Sequence, residues 1–77
     1  MKKQDNYVFN IICLYSGVIE SVYTIKSINL LKDKFFDLIR QMNPMISKLE
    51  LQDSWRNYYY DTMNKQEIVI KEGVLIE

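Results

Sequence analysis

From Tyr7 to Ile25 the chain is dominated by β-branched, aromatic and aliphatic residues, interrupted once by Ser16-Gly17. That composition favours strand. At a two-residue period, Tyr7, Phe9, Ile11, Cys13 and Tyr15 share one face, and Val8, Asn10, Ile12 and Leu14 share the other. Both faces are largely apolar, which marks a strand covered on both sides. Ser16-Gly17 reads as a tight turn, because glycine accepts positive φ. The return run alternates less cleanly, with Glu20, Ser21 and Thr24 set among Val18, Ile19, Val22, Tyr23 and Ile25. The pattern predicts a β-hairpin around which the rest of the chain is organised.

The period then changes to 3.6. Ile28, Leu31, Phe35, Leu38, Ile39 and Met42 fall on one stripe, widened by Phe36, while Lys32, Asp33, Lys34, Asp37, Arg40 and Gln41 take the flanks and the opposite face. This predicts an amphipathic helix ending near Met42. Ser27 or Asn29 can cap its start by accepting a backbone hydrogen bond. Asn43-Pro44 stops it, since the residue before proline is pushed out of the α region.

Beyond Pro44 the pattern is less periodic. Lys48-Leu49-Glu50-Leu51 alternates like a strand, and Asp53-Ser54 can turn the chain. Trp55 to Tyr60 fits either element. As a helix it puts Trp55, Tyr58, Tyr59, Thr62 and Met63 on one face; as a strand, its three consecutive tyrosines suit β-propensity. We read it as a strand, followed by a polar turn over 61–66 and the run Glu67 to Ile70. Gly73 interrupts the last run as a bulge or a turn. The expected fold class is α+β: a small single domain over residues 1–77, with 1–6 polar and frayed. A hairpin is followed by one helix packed on an antiparallel sheet, then by two or three further strands, in a ββαββ-like order.

Seventy-seven residues make one domain, and a chain of this length buries only about 60% of its unfolded surface. Lysines and arginines number 10, as do aspartates and glutamates, so the net charge is zero. That balance supplies no global field for nucleic acid or an anionic membrane, and it does little to keep monomers apart. No stretch approaches the ~20 apolar residues that span a bilayer. The start, Met1-Lys2-Lys3, is followed by Gln4, Asp5 and Asn6 and by a short apolar run without a cleavage site, unlike a signal peptide. A cytoplasmic protein is expected. The chain lacks alanine and is rich in Ile, Lys, Asn and Tyr, a bias that suits AT-rich coding sequence, as in low-GC bacteria and their phages or plasmids.

Candidate chemistry is sparse. The absence of histidine removes the commonest acid–base group at neutral pH and the commonest metal ligand. Two glycines, Gly17 and Gly73, cannot build a phosphate loop or a dinucleotide fingerprint. Cys13 is the only cysteine, so it forms no disulfide within the chain. Inside an apolar strand it reads as a small buried hydrophobe rather than a nucleophile. Glu20, Asp53 and Asp61 lack metal-loop spacing and read as solvent-facing or turn residues. No enzyme, cofactor or metal is expected.

What remains is surface. Trp55, Arg56, Tyr58, Tyr59 and Tyr60, with Tyr7, Phe9 and Tyr15 on the first strand, are the interface candidates. Tyr, Trp and Arg are enriched at binding hot spots. One helix covers one face of a small sheet, and a second copy of the chain is the simplest cover for the other. The sequence therefore points to a non-enzymatic protein-interaction module, homodimeric, that binds another protein. One specific version is a phage or mobile-element inhibitor of host or defence machinery. The alternative is a single-stranded nucleic-acid binder that stacks bases on Tyr58 and Tyr60 with Arg56 and Lys65 on the backbone; the zero net charge counts against it.

Overall fold

The structure, a computed structural model, describes residues 7–74, with Tyr7 and Val74 given by their backbone. The expectations for residues 1–6, for the side chain of Tyr7 and for the end of the final apolar run lie outside the described residues. The chain forms β1 (Tyr7–Tyr15), β2 (Val18–Ile25), α1 (Ile28–Met42), α2 (Lys48–Asn57), β3 (Tyr59–Asp61) and β4 (Gln66–Val74). The four strands make one antiparallel sheet in the order β2-β1-β4-β3. This is a small α+β domain.

The hairpin forms where the pattern placed it. Ser16 and Gly17 take φ of 52° and 82°, the two positive values that a type I′ turn needs to match the strand twist. The pairing of β1 with β2 shifts register between Cys13 and Leu14, so that Cys13 opposes Ser21 but Leu14 opposes Ile19. Glu20 is the extra residue of this β-bulge. The bulge explains why the β2 sequence alternates poorly: Val18 and Ile19 belong to one phase, and Val22 and Ile25 to the other.

Helix α1 begins at Ser27, whose Oγ accepts from the backbone N–H of Leu30, and ends at Asn43. Its stripe of Leu31, Phe35, Leu38 and Ile39 is buried. With Ile11, Cys13, Ile68 and Ile70 from the sheet and Leu51 from α2, these residues form the core. Cys13 is buried there, as its apolar setting suggested.

Three expectations are corrected. Residues 48–51 are the first turn of a second helix rather than a strand. The alternation of Lys48-Leu49-Glu50-Leu51 is overridden by the Ser47 cap, whose Oγ accepts from the N–H of Glu50. By the same element, Trp55 to Asn57 are helical. Tyr58 closes α2 in the left-handed region at φ 56°, and only Tyr59–Asp61 pair as strand. Two helices thus share the layer over the sheet where one was expected. Gly73 is neither bulge nor turn: it sits inside β4, opposite Val8.

Candidate protein-interaction surface

The registers sort the sheet residues between two faces, with Val8 and Gly73 on the side turned away from the helices. Phe9, Ile11 and Cys13, with Tyr23, Ile25, Ile68, Ile70 and Tyr60, face the helices and pack in or against the core. The other face carries three rows across the strands. One runs Thr24, Asn10, Lys71; the next Val22, Ile12, Val69, Tyr59; the third Ile19, Leu14, Glu67, Asp61. The middle row is apolar through all four strands, and Ile19 and Leu14 extend it. Both helices contribute their buried residues to the opposite side, and this face is open at its β2 edge but closed at the Val8 end, where Val8 is 3% exposed. Val22 is 51% and Ile19 59% exposed.

The polar ends of the face are tied down. The Thr24 hydroxyl donates to Asn10 Oδ1 at 2.7 Å. The Tyr59 hydroxyl donates to Glu67 Oε2 at 2.7 Å. That bond, followed by loss of hydration and the nearby carboxylates of Asp61 and Glu67, pushes the Tyr59 phenol up to about 12. Glu67 and Asp61 make one end of the face acidic, and Lys71 makes the other basic.

The aromatic run singled out in the sequence is divided among three environments. Trp55 and Tyr58 lie in tilted contact at 5.4 Å between centroids and pack against the core, and Trp55 also contacts Phe35 and Phe36. Tyr60 also faces inward, and Asn43 Nδ2 donates to its hydroxyl at 3.4 Å. Tyr59 alone reaches the open face. Arg56 is exposed on α2, bonded to Asp53 at 3.0 Å, and overhangs a cleft that Trp55, Tyr58, Lys32 and Glu72 also line. Lys65 is remote from that cleft, in the loop before β4, where its carbonyl accepts from the N–H of Ser16. Among the first-strand candidates, Phe9 packs on the core and Tyr15 is 48% exposed at the strand end.

The acidic residues do not converge. Asp53 and Asp61 line one groove with Glu50, while Glu20 lies on β2 at the opposite edge of the sheet, about three strand spacings or ~14 Å away. No cluster of three potential metal-ligating side chains is present among the described residues. No helix among them is long and apolar enough to cross a membrane.

The surface residues missed in the sequence reading are Ile19, Val22 and Val69. The second apolar face of β1, with Ile12 and Leu14, was the signal, and the register needed to extend it to its neighbours was hidden by the bulge. The chain matches no family model, curated protein or solved structure with which it was compared.

Proposed function

We propose that the protein is a small non-enzymatic interaction module whose contact surface is the face of its sheet turned away from both helices. The observation that carries this reading is the unbroken apolar row Val22, Ile12, Val69, Tyr59, widened by Leu14 and Ile19, on the side opposite both helices. At a strand spacing near 4.8 Å and a same-face repeat near 7 Å, these six positions span roughly 200 Å². The largest apolar patch of a soluble monomer, typically a few hundred Å², is often its functional one. Burying them under another protein contributes free energy at roughly 25 cal/mol per Å². The two hydrogen-bonded pairs, Thr24 with Asn10 and Tyr59 with Glu67, supply the polar rim typical of interfaces.

The division of the tyrosine run favours this reading over stacking of single-stranded nucleic acid. A base platform needs several free aromatic faces on one surface, and here Trp55, Tyr58 and Tyr60 are partly buried against the core, Trp55 and Tyr58 packed on each other. The small size and AT-rich coding bias suit a phage or mobile-element inhibitor acting on a host protein, one form that such a module takes.

The test is site-specific photo-crosslinking in the cell, with the reactive side chain at Val22 on the open face or at Arg40 on the exposed side of α1. The reading expects polypeptide adducts from position 22 and none from position 40. Adducts from position 40 alone overturn it.

A further inference from the structure

We infer that the occupant of the open face is a second copy of this chain, packed face to face about a two-fold axis that runs across the strands along the row Val22, Ile12, Val69, Tyr59. The inference rests on the interaction reading above and names its partner. A two-fold axis relating two such faces lies in the plane between them, and aligned packing of the sheets sets it close to the strand direction or close to the perpendicular. The distribution of charge decides between these. With the axis along the strands, β1 lies on β4 and β2 on β3. Glu67 then meets Leu14 of the second copy, and Asp61 meets its Ile19, which places two carboxylates on apolar side chains with no opposite charge facing them.

With the axis across the strands each strand lies on itself, and the apolar row covers its own image. Lys71 and Glu67 stand two residues to either side of Val69, about 7 Å from the axis. Lys71 of each copy then faces Glu67 of the other, twice by symmetry. Packed sheets differ in strand direction by roughly 30°, which displaces the pair laterally by about 3–4 Å, and they stand about 10 Å apart, both within lysine and glutamate reach. Lys71 is exposed and makes no ion pair with another described residue. Asn10 and Thr24, which come to lie on Leu14 and Ile19 of the second copy, already bond each other.

The face offers less than the ~800 Å² per partner of a standard interface, so self-association is weak and reversible. Sedimentation velocity on the full chain from about 1 to about 300 µM tests the arrangement. Wild type is expected to pass from monomer to dimer. Lys71→Glu and Glu67→Lys each weaken the dimer about tenfold or more by setting like charges opposite twice. The double exchange brings it back to within about threefold of wild type, because every facing pair is again opposite in sign. Circular dichroism confirms that each variant is folded, and Lys71→Gln, expected to weaken the dimer by less than Lys71→Glu, is a milder second probe.

A monomer throughout that range overturns the inference, as does a dimer indifferent to Lys71→Glu or a double exchange that fails to restore association. A monomer that still crosslinks other proteins from position 22 overturns the second copy and leaves the interaction reading standing. A monomer without adducts at position 22 overturns both.

Discussion

Tyr59 and Glu67 join β3 to β4 by a diagonal hydrogen bond of 2.7 Å on the open face of the sheet. The phenol donates and the carboxylate accepts, so ionising the phenol sets two negative oxygens against each other. The folded state therefore holds its proton up to about 12, against an ordinary value of 10.0. A group whose pKa is raised on folding stabilises the fold fully below its unfolded value, and that contribution is lost as pH rises to the folded one. Stability should fall between about pH 10 and pH 12. Ultraviolet titration should show one tyrosinate appearing late, and Tyr59→Phe should remove it and flatten the alkaline decline. Unchanged late titration in Tyr59→Phe would assign the shift to another tyrosine.

Phe35 is the largest fully buried side chain, in contact with Phe36 at 6.3 Å and Trp55 at 6.1 Å between ring centroids. It fastens α1 to α2 over the sheet. Truncation to alanine opens a cavity and forfeits about 3–5 kcal/mol. Domains of this size rarely exceed the low end of about 5–15 kcal/mol. Phe35→Ala should thus be largely unfolded at room temperature, and Phe35→Leu folded with a lower midpoint in urea. A cooperative transition near the wild-type midpoint for the alanine variant would contradict this core assignment.

The second helix tests local chemistry against pattern. Ser47 accepts from the Glu50 N–H at 3.1 Å, so α2 opens on Ser-x-x-Glu, the sequence form of a capping box. Ser47→Ala should cost about 1 kcal/mol, read as a shift in urea midpoint with unchanged slope. If residues 48–57 were strand, the same change on an exposed serine would be nearly silent.

That cap also shows where the sequence was legible. Leu31, Phe35, Leu38 and Ile39 sit at helical spacing over a single face and were read correctly, because their burial and their period agree. In α2 only Leu51 and Ser54 are buried, so the apolar stripe is too thin to reveal the period, and the alternation of four residues masked the cap that Ser47 supplies. Ser54 itself is satisfied locally, its hydroxyl donating to the Glu50 carbonyl at 2.9 Å. Tyr58 was harder still: a bulky residue in the left-handed region costs about 1–2 kcal/mol, and nothing local to it announces the turn. Its ring contact with Trp55 at 5.4 Å and the bond from the Ile70 N–H to its carbonyl are tertiary compensations that no local pattern shows. The open face was half visible in the two apolar faces of β1. Its extension to Val22 and Val69 depended on strand order and on the bulge at Glu20.

The hairpin turn gives the last prediction. Ser16 takes φ 52° and Gly17 φ 82°, and a Cβ built on Gly17 meets nothing within 4 Å. The cost of Gly17→Ala is therefore backbone strain without a clash, about 1 kcal/mol. Ser16 is not the residue best suited to its position: asparagine tolerates positive φ better, and Asn-Gly is the preferred type I′ pair. The Ser16 side chain is exposed, and only its backbone N–H is engaged, donating to the Lys65 carbonyl at 2.9 Å. Ser16→Asn keeps that bond and relaxes the turn. It should raise stability by about 0.5 kcal/mol, and by the same amount in a Phe35→Leu background if the two sites are independent. Thermal unfolding of the four combinations of wild-type and variant residues at positions 16 and 35 measures both quantities. A destabilised Ser16→Asn would mean that the turn is not of the type I′ form that its two positive φ angles describe.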